Sequence, residues 1–197
     1  MGMSHADGGR PHALVVGGTG MLRGLTLSLA RQGYTVSVIA RSSHRLRSLV
    51  DAATPFPGRI NPVPLDYRHG EQLRQDLTTA VGQHGPLVLA VCWIHSTAPE
   101  ALPRIAEVIG AQTGPCRLFH VRGSAAANPA DGARRPPEWL TRFPNIRYRQ
   151  VILGFVVEGG GSRWLTHEEI SGGVLSAVQD DAPYYVVGTV EPWSLRP

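Results

Sequence analysis

Three groups of residues in this 197-residue chain have the types and spacing to do chemistry. The first is Val16–Gly24, VGGTGMLRG. Gly17, Gly18 and Gly20 permit positive φ and let a phosphate approach the backbone, while Thr19, Met21 and Leu22 lead into a helical pattern. Exposed N–H groups and the dipole of the following helix then attract negative charge, as in a pyrophosphate-binding turn. Any tight strand-to-helix turn can also use glycine for purely structural reasons. The second group is Arg41, Ser42, Arg45 and Arg47, the one basic cluster among otherwise scattered arginines. It reads as a local anion site or, more blandly, as a solvated helix start. The third is a set of polar residues among apolar runs, His95-Ser96, His120, Ser124 and Tyr148, in which histidine is suited to moving a proton near neutral pH.

One absence narrows the chemistry. All nineteen basic residues are arginine, and there is no lysine. Schiff-base chemistry on a lysine and a P-loop are both excluded. Arginine is too basic to serve as an ordinary proton donor. The two cysteines, Cys92 and Cys116, lie in apolar stretches and suit buried thiols in a reducing cytoplasm. A zinc site from Cys92, His95, Cys116 and His120 would match no standard ligand spacing, so no metal is expected. The net charge of +4 is dispersed, and no apolar run is long enough to span a membrane. Neither a nucleic-acid nor a membrane partner is expected, and the N-terminus has no apolar core of an export signal.

The elements that must position these groups alternate along the chain. After a polar tail over residues 1–11, His12–Gly17 is a buried strand and Met21–Gln32 a helix closed by Gly33. Tyr34–Ala40 is a strand, Ser43–Ala52 a helix, and Ile60–Leu65 a strand whose prolines suit a sheet edge. Glu71–Val81 is a helix, and Leu87–Ile94 is apolar throughout, as a central parallel strand should be. Pro99–Ala111 is a helix and Arg117–Val121 a strand; residues 125–145 look irregular. Ile146–Leu153 is a strand, Thr166–Gln179 a helix with Thr166 and Glu169 as a capping box, and Tyr184–Val190 the last strand. This order predicts an α/β fold: one Rossmann-like domain over residues 12–197, with a doubly wound, mostly parallel sheet.

With its glycine-rich turn between strand and helix, the chain resembles the short-chain dehydrogenase/reductase superfamily over about residues 12 to 190. The resemblance implies a nicotinamide dinucleotide on that turn. NAD-preferring members place an acidic residue at the end of the second strand. Here Arg41 and Ser42, with Arg45, imply a clamp for the 2′-phosphate of NADPH. Asp66, in Leu65-Asp66-Tyr67, matches the superfamily's aspartate that meets the adenine amino group. Gly154 and Phe155 resemble the stretch whose backbone binds the nicotinamide carboxamide. Arg23 departs from the pattern, standing where extended and atypical members place a third glycine.

The usual tyrosine followed four residues later by lysine is missing. Tyr148 is on a strand, and its fourth successor is Ile152. The strand ends must therefore be read on their own terms. Ile94, His95 and Ser96 follow the fourth strand, and Ser124 follows the fifth, within one position of the superfamily's catalytic serine. The fold is expected to bring His95 and Ser124 together beside the nicotinamide, with His95 as proton donor, Ser124 on the substrate carbonyl and Tyr148 next in line. His120 is expected to be a satisfied core histidine. Trp164 and His167 are expected to cover the pocket, with Gly159-Gly160-Gly161 flexible enough for a lid.

Three readings follow. The first is an NADPH-dependent reductase of a small carbonyl or imine, with homo-oligomerisation left open. The second is a non-catalytic NADP(H)-binding sensor or partner-binding protein. A non-redox isomerase or sugar-nucleotide enzyme is disfavoured, because the short C-terminal half leaves little room for a large substrate.

Overall fold

The computed structural model describes residues 9–127 and 135–197. The tail expected over residues 1–11 falls largely outside the described residues, as do positions 128–134 of the irregular stretch. Four strand–helix–strand steps, from β1 to β5, begin with β1 (His12–Val16), α1 (Arg23–Arg31), β2 (Thr35–Ala40), α2 (Ser43–Ala53) and β3 (Arg59–Pro64). They continue through α3 (Gly70–His84), β4 (Leu87–Trp93), α4 (Ala101–Gly110), β5 (Cys116–Gly123) and β6 (Ile146–Leu153). The chain then forms a small hairpin, β7 (Phe155–Glu158) and β8 (Gly161–Trp164), followed by α5 (His167–Asp180) and β9 (Tyr184–Val187).

Seven strands make one parallel sheet in the order β3-β2-β1-β4-β5-β6-β9. The proline-bearing β3 is at an edge, where an amide missing from the ladder does no harm. Side chains alternate across the sheet. Ala13, Val15, Val91 and Val121 pack under α1, α2 and α5, while Leu14, Val16, Cys92 and Leu118 pack under α3 and α4. The chain direction of the strand order reverses between β1 and β4, and in such sheets that crevice is where ligands bind.

α5 begins as the sequence predicts. Thr166 accepts from the Glu169 N–H at 3.2 Å while the Glu169 carboxylate accepts from the Thr166 N–H at 2.8 Å, a reciprocal cap of about 1 kcal/mol. Ser171, on the same helix, reaches α1: its hydroxyl accepts from the Leu25 N–H at 3.1 Å and donates to the Met21 carbonyl at 2.8 Å.

One expectation is corrected. Gly159 and Gly160 both adopt positive φ and form the two-residue turn of the β7–β8 hairpin, so they close a tight turn. Before β6, where the sequence looks irregular, the described residues hold only short 3₁₀ turns at Ser124–Ala127 and Glu138–Arg142. A cavity of about 720 Å³ opens beside the start of α4 and the end of β5.

Candidate active site

The glycine-rich turn is built as a chain of short bonds. The Gly20 N–H donates to the Gly17 carbonyl and the Arg23 N–H to the Gly20 carbonyl. Among the described residues, no acceptor takes up the N–H groups of Thr19, Met21 and Leu22. Gly17 has φ +87°, and a Cβ there would come 3.3 Å from the Trp93 Cβ. Only glycine meets both demands without strain.

The other residues of the motif divide by role. Gly18 is a packing glycine, since a Cβ would press on Thr26 and Val38 at 2.7 and 2.9 Å. Gly24 likewise faces Ser171 on α5. Leu22 is wholly buried in the core. The fold thus uses the side-chain positions of Gly18 and Leu22 for helix–sheet packing.

Beside this turn is a cavity of about 360 Å³ lined by Gly17, Thr19, Gly20 and Met21 on one side and Arg41, Ser42 and Arg45 on the other. Tyr67, Trp93 and His95 also line it, and no carboxylate does so among the described residues. Ser42 caps α2, accepting from the Arg45 N–H at 3.3 Å. Tyr67 reaches across, its hydroxyl accepting from the His95 N–H at 3.4 Å. Asp66 does not line this cavity. It holds Arg68 in an ion pair at 2.6 Å, and the guanidinium pulls its carboxyl down to about 2.

Trp93, at the end of β4, organises the rest. It borders three cavities, with Gly17 on one side and Gly123 on the other, where a Cβ on Gly123 would stand 3.9 Å from the ring edge. His95 sits edge-on to the indole at 5.5 Å between ring centres and lines the 360 and 720 Å³ cavities, the second with Ile94 and Ser96. Ser124 lies beyond the indole and lines a third cavity, of about 350 Å³, with Met21, Gly154, Trp164 and His167. The expected convergence of His95 and Ser124 is therefore corrected: they flank Trp93 and face different cavities.

The Gly154 and Phe155 amides are already engaged. The Gly154 N–H donates to the Val187 carbonyl at 3.0 Å, and Phe155 exchanges both of its backbone groups with Thr189 at 2.8 and 2.9 Å. Neither amide is left for a carboxamide, although Gly154 still lines the third cavity.

Tyr148 is also displaced from its expected place. It pairs with Leu118, five residues before the end of β5, and its hydroxyl lies 2.9 Å from the His120 Nδ1. Burial pushes the phenol up to about 12 and the imidazole down to about 4, so both are neutral at pH 7. His120 is not sealed in the core; it borders the 720 Å³ cavity with Arg122. Cys92 and Cys116 are buried and unbridged, and burial raises both thiols, Cys116 to about 12. Among the described residues, no group of three or more His, Cys, Asp or Glu is arranged to hold a metal ion, and no helix is long and apolar enough to cross a membrane.

One pocket residue went unnoticed in the sequence. Arg196 lines the third cavity, and its Nε–H donates to the Ser124 Oγ at 2.8 Å. Its guanidinium is 5.2 Å from the Trp164 ring centre and 5.4 Å from that of Trp193. Nothing in Trp193-Ser194-Leu195-Arg196 has a motif to announce this; only the tertiary fold carries it to the end of β5.

No protein-family model matches the sequence, and no curated protein matches it. Solved structures do. A short-chain type dehydrogenase/reductase from Mycobacterium marinum aligns with TM-score 0.70 at 17% identity, over 93% of this chain and 96% of that one. An alcohol dehydrogenase from the archaeon Thermococcus sibiricus, complexed with 5-hydroxy-NADP, aligns with TM-score 0.68 at 16% identity, over 91% and 96%. A 3-oxoacyl-[acyl-carrier protein] reductase from Brucella melitensis aligns with TM-score 0.67 at 13% identity, over 90% and 94%. The chain thus has the single-domain Rossmann-like fold of the short-chain dehydrogenase/reductase structures.

Proposed function

We propose that this protein is an NADPH-dependent reductase of a small carbonyl or imine substrate. The observation that carries the reading is the cavity at the β1–β4 junction, with open backbone amides on one wall, Arg41, Ser42 and Arg45 on the other, and no carboxylate. That donor set fits a dinucleotide bearing a 2′-phosphate. The turn from Thr19 to Leu22 would hold the pyrophosphate, and the two arginines the 2′-phosphate.

A bound nicotinamide supplies hydride; the chain needs only to orient the substrate and manage one proton. Met21, Trp93 and Gly154 border the space beyond the turn where the reacting ring would lie. Ser124 would donate to the substrate oxygen. His95, on the rim shared by two cavities, would exchange the proton with solvent. A reducing, cytoplasmic setting suits the two unbridged thiols.

The rival reading, a non-catalytic NADP(H)-binding sensor, is favoured by one arrangement: Tyr148 is bonded to His120, and Ser124 already has a protein partner. NADPH oxidation on a panel of small aldehydes, ketones and cyclic imines separates the two. Turnover of one class above the protein-free rate supports the reductase. NADPH binding with no turnover of any member supports the sensor.

A further inference from the structure

Ser124 is 3% exposed, yet its hydroxyl is only partly used. A serine hydroxyl has one hydrogen to donate and two lone pairs. One lone pair accepts from Arg196 Nε–H at 2.8 Å, and among the described residues no acceptor takes up the hydroxyl hydrogen. A buried donor without an acceptor costs stability unless water or a ligand in the cavity supplies one. The hydroxyl borders the 350 Å³ cavity, so an acceptor in that cavity is the partner the geometry provides for.

Arg196 brings charge to the same spot. Its guanidinium lies within cation–π range of both Trp164 and Trp193. Among the described residues, no carboxylate pairs with it and no acidic side chain lines the cavity. With one lone pair taken by Arg196, a solvent-exposed cation, Ser124 is left to act as a donor, and the guanidinium adds positive potential where that donor points.

We propose that Arg196 is the positioning residue for Ser124 and the source of the positive charge that polarises the substrate. The substrate is accordingly a neutral aldehyde or ketone and not a protonated imine, which this charge would repel. The inference rests on the reductase reading above. In the reaction, the carbonyl carbon takes the hydride of the reduced nicotinamide and its π pair moves to oxygen. Nicotinamide is oxidised, the carbonyl is reduced, and one proton from solvent neutralises the oxygen. The developing negative charge lies against Ser124 O–H and Arg196, which itself stays protonated throughout. In a chain with no lysine, Arg196 is the arginine among the described residues that lines this cavity.

The test compares Arg196→Met, Ser124→Ala, the double variant and wild type. NADPH titration by tryptophan quenching comes first; Kd within about twofold of wild type in each variant shows that the cofactor half is folded and loaded. Removing a donor to a developing oxyanion costs about 10²–10³-fold in turnover. Aldehyde and ketone turnover by Arg196→Met should fall by that order, and the double variant should fall little further, because the two residues act as a unit. Millimolar guanidinium should restore part of the Arg196→Met loss, which it would not do for a merely structural defect. Turnover of 2-methyl-1-pyrroline should not fall in Arg196→Met. A non-reducible carbonyl, isobutyramide, should bind the wild-type NADPH complex and bind each single variant at least about tenfold more weakly. Equal isobutyramide binding by Arg196→Met and wild type, or imine reduction by wild type without aldehyde or ketone reduction, would overturn the proposal. A wild type that does not bind NADPH at all would overturn the reductase reading beneath it.

Discussion

Gly17 and Trp93 meet at the junction of β1 and β4, with the indole carbon Cδ1 3.4 Å from where a Cβ on Gly17 would stand. The contact joins the start of the glycine-rich turn to the residue that divides the cavities. Gly17→Ala would force an L-residue to φ +87° and push on Trp93, a backbone cost of about 1–2 kcal/mol before any ligand is considered. The expected outcome is a lower melting temperature, weaker NADPH binding and a shifted Trp93 emission. A variant that melts and binds like wild type would show that the turn tolerates a side chain.

Proton supply is the next point of exposure. His95 is solvent-exposed, stacks edge-on against Trp93 and borders the 360 Å³ cavity beside the glycine-rich turn. His95→Ala should lower kcat by about 10²–10⁴-fold, the usual worth of a positioned proton donor. NADPH affinity should be unchanged, because Arg41, Ser42 and the turn remain. Full activity of this variant on a confirmed substrate would remove His95 from the mechanism.

Stability should fall with acid, and the sign follows from burial. Burial holds His120 down to about 4, below its usual 6.5, and holds His12 down as well. Above pH 6.5 both folded and unfolded chains carry these imidazoles neutral, and they contribute no slope. Between pH 6.5 and about 4, the unfolded chain takes up protons that the folded one refuses. His120 then costs roughly 1.4 kcal/mol of stability per pH unit, and His12, also held down, adds to the slope in the same direction. His120→Asn still offers Tyr148 a hydrogen bond but cannot titrate, so its stability should decline less steeply across this window. An unchanged slope in urea melts at pH 6.5, 5.5 and 4.5 would contradict the assignment.

No zinc or other metal is required by this account. Dialysis against a chelator should leave the melting temperature unchanged, and mass spectrometry should find no equimolar metal. Equimolar zinc would bring the buried Cys92 and Cys116 and their histidine neighbours back into question.

The sequence carries the fold well because each element has a local cause. Alternating apolar strands, the Thr166–Glu169 cap and the edge prolines of β3 are all written in neighbouring residues, and the structure bears out their places within a few residues. The β7–β8 hairpin was legible too: two glycines between short β-rich runs are a hairpin turn, and reading them as a lid overlooked that spacing. The far end of the site was less legible because its contacts are long-range. Ser124 meets Arg196 across 72 positions, and Ser171 meets Met21 across 150. No local pattern encodes either pair. Tyr148 misled for a related reason: a strand residue's chemistry depends on register, and pairing with Leu118 sets it too deep in the sheet for the cavity rim.

The central claim is that the turn and the arginines at the end of β2 select NADPH, and isothermal titration calorimetry tests it most directly. Wild type should bind NADPH more tightly than NADH. Arg41→Ala should lose about 1–3 kcal/mol of NADPH affinity, the worth of a charge-assisted contact, while NADH affinity stays nearly the same. Equal affinity of wild type for the two cofactors, or equal losses for both in Arg41→Ala, would contradict the account.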